Sequence, residues 1–306
     1  MRHSYVFTIG AACELLGVTR QAYYKKPQPK PEMEDQVIRL ISENAIKLRK
    51  KWPSQGCRRL YDDFGELLPI GRDKSIQVLM DMGWRVKYPK RYGKATQSGT
   101  REFSNLLNHK DVTGINQVWQ ADMAHYLYGD TKLYTIYITD VYSQEIVGYG
   151  AYESNLAENY VQVLEHAIQK TKRSQSLRGL IHHSDGGKQY ESNLYKAVCR
   201  RNKIDQSMCM YSYENPYAEK TNDLINNGYL NTWRPKTLKE LKECQLKAVK
   251  DHNTRRRKKA PGNISPVQFR TQLKKDRKTT HYTLKLKPRM PEQPRKKNKF
   301  KTQIIT

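Results

Sequence analysis

The order of extended and helical patterns after residue 116 constrains the fold of this chain more than any other sequence feature. Three β-rich runs come first, and a short turn typical of a hairpin joins the second to the third. Helical patterns then alternate with two short strands, and two more helical stretches follow. The strands are predicted at 118–124, 133–140, 146–152, 180–183 and 204–208, and the helices at 157–171, 192–202, 214–229 and 237–251. This order predicts an α/β fold in which helices pack on a mixed sheet.

The residues before this region predict small all-helical units. Residues 8–26 carry an apolar face that Gly17 interrupts, and Thr19 can cap a second helix. A helix-turn-helix and a plain helical hairpin share this outline. Three prolines then form a stiff spacer, because each fixes its own φ angle. A second helical unit follows at 34–87, and residues 88–110 have no sustained period, as in a basic linker.

The charge of the chain indicates a polyanionic partner. It has 56 Lys and Arg residues against 30 Asp and Glu residues, a formal net charge of +26. A compact protein that repels itself so strongly is not expected to be an ordinary metabolic enzyme, and nucleic acid is the first candidate partner. The aromatic share of 10%, with 21 Tyr residues, argues against a wholly disordered basic protein.

Compartment and redox state follow from two further patterns. The chain contains no apolar run long enough to span a bilayer, and its first residues lack the apolar core of a signal peptide. The five cysteines are scattered and include no C-x-x-C pair, so the sequence indicates neither a zinc ribbon nor a disulfide framework. We expect a soluble cytoplasmic protein with reduced thiols.

Three acidic residues stand at the ends of predicted elements in the α/β part. Asp122 lies near the end of the first strand, Asp185 just beyond the fourth, and Glu219 on the helix at 214–229. Neighbouring strand ends bring carboxylates within reach of one ion, and a helix laid across them can supply a third. Oxygen ligands suit Mg²⁺ or Mn²⁺, and a pair of such ions promotes in-line displacement at phosphorus. On residue type alone, surface or capping acids remain the simpler interpretation.

Other residues whose side chains could bind a ligand or take part in catalysis have structural interpretations. Asp140 also ends a strand, and we expect it to cap the turn at 141–144. His182 and His183 are neighbours in a strand and point to opposite faces, so at most one could reach the site, and we expect both to pack. Trp119 is expected in the core rather than as a stacking platform for a base.

Five linked motifs occur in one order along the chain: VWQADMAHY, YTIYITDVYSQEIVGY, HHSDGGKQY, SMCMYSYENPYAEKTNDLINNGYL and DHNTRRRKKAPGNISPVQF. In order and spacing they resemble the integrase-core (rve) transposases of insertion sequences, specifically the OrfB-type subunit of two-frame elements. The resemblance extends over nearly the whole chain. It implies a ribonuclease-H-like core, a DDE triad that binds Mg²⁺ (Mn²⁺ is also possible), and the cutting and joining of transposon DNA.

The resemblance assigns the three acids one by one. Asp122 falls on the first acid of the DDE triad, Asp185 on the Asp of the H-S-D-x-G-x-Q-Y motif, and Glu219 on the Glu of the N-A-x-x-E helix. Glu219 follows Asp185 by 34 positions, slightly fewer than is usual, and a shorter loop would absorb the difference. The chain departs from the family at Gly186, where many members have Arg, at Pro216, where Ala is usual, and at Asn226 and Gly228, where Lys and Glu are common.

Candidate DNA contacts lie near helix starts and next to the acids. Helix N-termini favour anions, and a neighbouring Arg or Lys supports a phosphate contact, although a solvated basic face explains the same pattern. On an α-helix, residue 226 shares the face of Glu219, seven positions earlier. The expected DNA-binding residues are Arg20, Tyr24, Lys25, Arg58, Arg59, Arg72, Lys74, Lys188, Lys220 and Asn226.

With the resemblance, the chain divides into five parts. They are a helix-turn-helix-like segment with its proline spacer, a helix-turn-helix-like helical domain, a basic linker, an integrase-type catalytic core and a basic, loosely ordered tail. Their boundaries are 1–31, 32–87, 88–115, 116–275 and 276–306.

The leading hypothesis is a Mg²⁺-dependent DNA transposase subunit that cuts at element ends and transfers the strand to target DNA. The resemblance also implies a homo-multimer on double-stranded DNA ends, an upstream-frame OrfA-type partner or fusion, and a bacterial cytoplasmic location at the nucleoid. Two alternatives stay open. One is a weakened or repurposed transposase that only binds DNA, which the departures at Gly186, Asn226 and Gly228 favour. The other is a ribonuclease-H-type nuclease acting on RNA–DNA hybrids.

Overall fold

A computed structural model of the chain shows two compact units, residues 1–86 and residues 87–306. Within them the structure describes residues 8–15, 17, 19–21, 31–53, 55–86, 101–172, 176–258, 262–276 and 282–286. Among the helices of these ranges, none combines the length and the apolar character needed to cross a membrane.

The first unit is helical. Its helices are α1 (Ile9–Leu15), α2 (Pro31–Lys51), α3 (Cys57–Phe64) and α4 (Arg72–Asp81). The fully buried side chains of Ile41, Leu60 and Leu79 bring α2, α3 and α4 together around one small core. The second helix of the predicted helix-turn-helix, after Thr19, lies mostly outside the described residues.

A five-stranded mixed sheet lies at the centre of the second unit. The strands of this unit are β1 (Asp111–Val112), β2 (Val118–Tyr128), β3 (Thr131–Asp140), β4 (Ile146–Tyr152), β5 (Ile181–Ser184), β6 (Asp205–Met208) and β7 (Leu284–Lys285). The order across the sheet is β4-β3-β2-β5-β6, with β1 and β7 paired separately. Strands β2, β3 and β4 form an antiparallel meander, and β5 and β6 extend it in parallel. This arrangement is the ribonuclease-H-like fold, and the predicted α/β fold class is confirmed.

Helices cover both faces of the sheet. They are α5 (Ala157–Lys172), α6 (Asn193–Arg201), α7 (Pro216–Asn222), α8 (Leu238–Thr254) and α9 (Pro266–Lys275). Trp119 and Ala121 of β2 lie in the main core with Leu164 of α5 and Tyr195 of α6. Gln120, whose side chain points to the other face, accepts a hydrogen bond from the first turn of α7. Alternation along β2 therefore separates the apolar core from the face that carries α7.

Two elements differ from the predicted boundaries. Strand β2 continues four residues beyond 124, because Tyr128 pairs with Thr131 in a hairpin through Gly129, where φ is +55°. The predicted helix at 214–229 begins instead with Pro216, a residue favoured at the first helical position because the missing N–H would have no partner there. This helix widens into a π-helix (Asp223–Leu230) and ends in one short turn (Asn231–Trp233).

Residues 101–112, which are predicted to belong to a linker, pack against the core of the second unit, of which they are part. Phe103 contacts the main core, and Leu106 N donates a hydrogen bond to Ser207 Oγ at 2.9 Å. Strand β1 then pairs with β7. The chain therefore runs beside β6 before it enters the sheet at β2.

Candidate active site

The register of the sheet places Asp122 beside Asp185. Strands β2 and β5 are parallel, and the last paired residues are Gln120 and His183. Extending this register by two residues brings Asp122 level with Asp185, the first residue after β5. The two acids therefore lie side by side where β5 ends, although Asp122 is in the middle of β2 and not near its end as predicted.

Helix α7 carries Glu219 to the same corner. Two hydrogen bonds fix its first turn to β2: Asn215 Nδ2 donates to Ala121 O, and Tyr217 N donates to Gln120 Oε1, both at 2.9 Å. The hydroxyl groups of Thr221 and Thr139 lie 2.9 Å apart and fix the helix to β3 as well. Because these bonds hold α7 across β2, Glu219 lies close enough to add to the electrostatic field at Asp122.

The Asp122 carboxylate has two hydrogen-bond donors and two acidic neighbours. Met123 N donates to its Oδ1 at 2.9 Å, and Asn222 Nδ2 donates to its Oδ2 at 2.8 Å. Burial and the charges of Asp185 and Glu219 raise the pKa of Asp122 to about 7, against the effect of the two donors. Three carboxylates thus share one corner, where their mutual repulsion favours a bound cation.

Asp185 is more open to solvent. Its side chain is exposed, and Oδ1 accepts a hydrogen bond from Gly187 N at 3.2 Å. Partial loss of hydration raises its pKa, while the Gly187 N–H and the positive charge of Arg101 act in the opposite direction.

The three carboxylates suit a hard divalent cation, but their oxygens do not yet converge. Among the described residues, no group of three His, Cys, Asp or Glu side chains has the geometry to hold a metal ion as it stands. The Asp122 carboxylate is held by a hydrogen bond from Asn222, so movement of the other acidic side chains would have to bring the oxygens together. The donor set consists of carboxylate oxygens, which Mg²⁺ and Mn²⁺ prefer, and the charges of Asp185 and Glu219 add to the effect of burial in raising the pKa of Asp122. The residues therefore fit such an ion.

Comparisons with known proteins identify the family. Residues 112–211 match the family model of the integrase core domain (rve). The chain is 30% identical over 269 residues to the "Insertion element IS600 uncharacterized 31 kDa protein" of Shigella sonnei, an alignment that covers 84% of this chain and 97% of that protein. The chain belongs to the integrase-core (rve) family of insertion-sequence transposases.

A second curated relative of this transposase-family chain is similar over most of its length. The chain is 24% identical to the transposase InsF for insertion sequence IS3A of Escherichia coli strain K12, with 88% of this chain and 96% of that protein covered. Similar solved structures include the magnesium complex of the HTLV-2 integrase catalytic core domain, in its trimeric form, with 20% identity and a TM-score of 0.40 over 54% of this chain and 97% of that one. Another is the simian T-cell lymphotropic virus intasome in complex with PP2A regulatory subunit B56 gamma, with 15% identity and a TM-score of 0.46 over 86% of this chain and 78% of that one.

Asp140, the histidines and Trp119 have the structural roles predicted for them. Asp140 is buried, and its carboxylate accepts hydrogen bonds from Asn116 N, Ser143 N and Ser143 Oγ. His182 Nε2 lies 2.9 Å from Tyr195 OH, and His183 Nδ1 lies 2.8 Å from Ser207 Oγ. Burial lowers the pKa of His182 to about 3 and that of His183 to about 4, so both rings are neutral packing groups. Trp119 is fully buried in the main core.

The candidate DNA-binding residues fall into three groups by location. Lys188 and Lys220 are exposed, the first in the loop after Asp185 and the second next to Glu219. In the first unit, the residues with exposed side chains are Arg20, Arg58, Arg72 and Lys74, and Arg59 is half-buried. Tyr24 and Lys25 lie outside the described residues.

Asn226 is a correction to the predicted DNA contacts. Its side chain is buried, with 9% exposed, and its Oδ1 accepts a hydrogen bond from Tyr137 OH of β3 at 3.4 Å. The expected spacing from Glu219 fails because residues 223–230 form a π-helix, whose wider turn changes the face on which residue 226 lies. Asn226 packs on the sheet and does not face solvent where DNA could bind.

Two residues near the acids were missed by the sequence analysis. Asn222 lies one turn after Glu219 on the same helix, and this i+3 spacing was a usable signal. Arg101 is in a segment without hydrophobic periodicity, and no pattern in the sequence connects it with Asp185.

Proposed function

We propose that this chain is the catalytic subunit of a DNA transposase, which cleaves phosphodiester bonds at insertion-sequence ends and joins the freed strand to target DNA with Mg²⁺ or Mn²⁺ as cofactor. One observation carries the proposal. Asp122, in the central strand of a ribonuclease-H-like sheet, has two acidic neighbours whose charges contribute to its raised pKa. The relatives named as transposases support the same conclusion.

The three carboxylates of this corner would together bind the metal ions. Asp122 and Asp185 would be ligands of both ions, and Glu219 would add a ligand to one of them. When bound, two such ions activate the attacking oxygen and stabilise the leaving oxygen in an in-line displacement at phosphorus. Asn222 holds one Asp122 oxygen in place by its 2.8 Å bond, which fixes the carboxylate before DNA arrives.

The substrate is double-stranded DNA at the two element ends and in the target. Hydrolysis at an end frees a 3′-hydroxyl, which then attacks the target phosphodiester without a covalent enzyme intermediate. The exposed Lys188 and Lys220 next to the acids would bind the flanking phosphates. The basic residues of the first unit would hold DNA further from the cut.

Assembly belongs to the same proposal. Both ends of an element must be held together for joining, so we expect a homo-multimer on paired ends. An upstream-frame OrfA-type product, or a fusion with it, would add end recognition, and the protein would work in the bacterial cytoplasm at the nucleoid.

The decisive experiment is the Asp185→Asn variant, incubated with Mg²⁺ and labelled DNA carrying the element's terminal inverted repeats. We expect cleavage to be abolished and duplex binding to change little, because the substitution removes one ligand charge from a strongly basic protein. Asp205→Asn is the matched control, since Asp205 is an exposed aspartate at the start of β6. Cleavage by Asp185→Asn would eliminate Asp185 as a metal ligand. Wild-type protein that binds the ends but never nicks them would leave only a DNA-binding protein.

A further inference from the structure

Arg101 reaches the turn that carries Asp185 from a distant part of the sequence. Its Nε donates a hydrogen bond to Cys209 O at 2.6 Å, and its Nη2 donates to Met210 O at 3.2 Å. Both carbonyls follow directly after β6, in the loop that leads to α7. The guanidinium is therefore fixed between the loop after β6 and the turn after β5.

Gly186 provides the space for this guanidinium. A Cβ atom added at position 186 would overlap Nη1 and Cζ of Arg101 and lie 2.8 Å from its Cδ. Gly186 does not belong to the glycines with positive φ in the described part of the chain, so its backbone does not itself require glycine. An alanine at this position would therefore require the Arg101 side chain to shift.

The main chain around Arg101 is fixed to the same unit. Glu102 N donates a hydrogen bond to Glu191 Oε1 at 3.3 Å, and the Glu102 carboxylate pairs with Lys196 Nζ at 2.9 Å. Together with Leu106 and Phe103, these contacts hold the segment against β6 and α6. The side chain of Arg101 thus extends from a backbone that is held in place. Its charge lowers the pKa of Asp185 against the effect of partial burial.

We propose that Arg101 is a positioning residue for Asp185, and that Gly186 is glycine because the guanidinium fills the space beside it. The inference rests on the proposed function. Arg101 holds the turn after β5 against the loop after β6, so that the Asp185 carboxylate keeps its place when Glu219 moves towards a cation. Its charge also lowers the repulsion among three carboxylates before the cation binds.

The first test separates the charge of Arg101 from its volume. Arg101→Lys keeps the charge, and Arg101→Met keeps a long side chain without it. We expect Arg101→Met to lower the rate of end cleavage about ten- to a hundredfold, as loss of a partner that orients a metal ligand does. Arg101→Lys should recover part of that loss, because it keeps the charge but not both hydrogen bonds of the guanidinium. A wild-type rate of end cleavage in Arg101→Met would overturn the proposal, because neither the charge nor the hydrogen bonds of Arg101 would then matter for cleavage.

The second test is a double-mutant cycle between Arg101→Ala and Gly186→Ala. The added methyl group displaces the guanidinium, so Gly186→Ala should lower both the cleavage rate and the midpoint of thermal unfolding. In the Arg101→Ala background the same change should have almost no further effect. Gly114→Ala is the matched control, because a Cβ there would approach only Gln117, at 3.4 Å. Additive effects of the two substitutions would overturn the proposal.

The thermal cycle also separates this inference from the proposed function. It needs no activity. If the unfolding midpoints of the variants show coupling but the wild-type protein never cleaves DNA, the proposed function is refuted and the contact between Arg101 and Gly186 is supported. If the shifts in the unfolding midpoint are additive but the wild-type protein cleaves DNA, the contact is refuted and the proposed function is supported.

Discussion

At the scale of single residues, two kinds of aspartate are distinguished by what surrounds them. Asp140 is fully buried, and its carboxylate accepts three hydrogen bonds from the chain. Asp185 is exposed and accepts one bond, from Gly187. A carboxylate that the protein already saturates stabilises a turn, whereas one beside other acids retains oxygens for a ligand.

Asn222 is the residue on which the position of Asp122 depends most directly. We expect Asn222→Ala to lower the rate of end cleavage about tenfold, because loss of a hydrogen-bonding partner leaves the carboxylate free to rotate. The measurement is cleavage of labelled ends at saturating Mg²⁺, with DNA binding followed separately.

The control for this prediction is Asn227→Ala on the same helical stretch. Asn227 Nδ2 donates to Asp223 Oδ1 at 2.9 Å, so the control also removes one amide hydrogen bond to a carboxylate. If both alanine variants were equally active, the bond to Asp122 would have no role in cleavage.

The acids could be found from the sequence, whereas Arg101 could not. Asp122 in β2 and Asp185 just after β5 belong to motifs that keep a fixed order, and both signals are local, although the end of β2 is predicted four residues too early. Arg101 reaches its place through bonds to carbonyls, which leave no trace in side-chain patterns. Gly186 was identified as a departure from the family, but its physical reason needs the distance to Arg101.

At the scale of elements, the strands could be predicted from their residue composition more closely than the helix that carries Glu219. The meander and the two short parallel strands occur in the predicted order, because β-rich runs between turn residues depend on local preferences. The stretch 214–229 is predicted as one helix, but its second part is a π-helix that packs against α8 and contacts Tyr137 of β3, which periodicity does not report. The mistaken placement of Asn226 follows from that single difference.

Strand β5 should make the protein sensitive to acid through His182. The ring packs against Tyr190 and Tyr195, with His183 next along the strand, and burial lowers its pKa from 6.5 to about 3. The unfolded chain therefore binds a proton below about pH 6.5 that the folded chain does not, and stability is lost as the pH falls through this range. Between pH 7 and pH 5, His182 alone should remove about 2 kcal/mol from the free energy of unfolding.

Urea unfolding at these two pH values tests the prediction. Over the same pH interval, the free energy of unfolding of His182→Gln should fall by about 2 kcal/mol less than that of the wild type, since the substituted side chain does not titrate. His166→Gln, on the exposed surface of α5, should behave like the wild type. An equal loss in His182→Gln and wild-type protein would show that other groups cause the acid sensitivity.

At the scale of the whole molecule, the charge and the fold support one arrangement of DNA. The chain carries a net charge of +26, yet three acids meet at one corner of the sheet. A basic surface attracts the phosphate backbone, and under the proposed function the three acids would hold divalent cations where a phosphodiester on that surface could reach them. Helix α7 lies on one face of the sheet and α5 and α6 on the other, so DNA that reaches Glu219 must approach from the face of α7.

This arrangement predicts how salt should weaken DNA binding. The slope of log K against log salt concentration becomes shallower by about one for each phosphate that the protein no longer binds. The double variant Lys188→Ala/Lys220→Ala should therefore reduce the slope by about two relative to the wild type. Fluorescence anisotropy with labelled end DNA over a salt series measures the slope for both proteins.

The control removes the same charge from the opposite face. Lys172 and Lys203 are exposed at the ends of α5 and α6, so Lys172→Ala/Lys203→Ala has an equal net charge and should keep the wild-type slope. Equal slopes for the two double variants would mean that total charge alone determines binding. A larger change in the control would place DNA on the face of α5 and α6, where the acids cannot reach it.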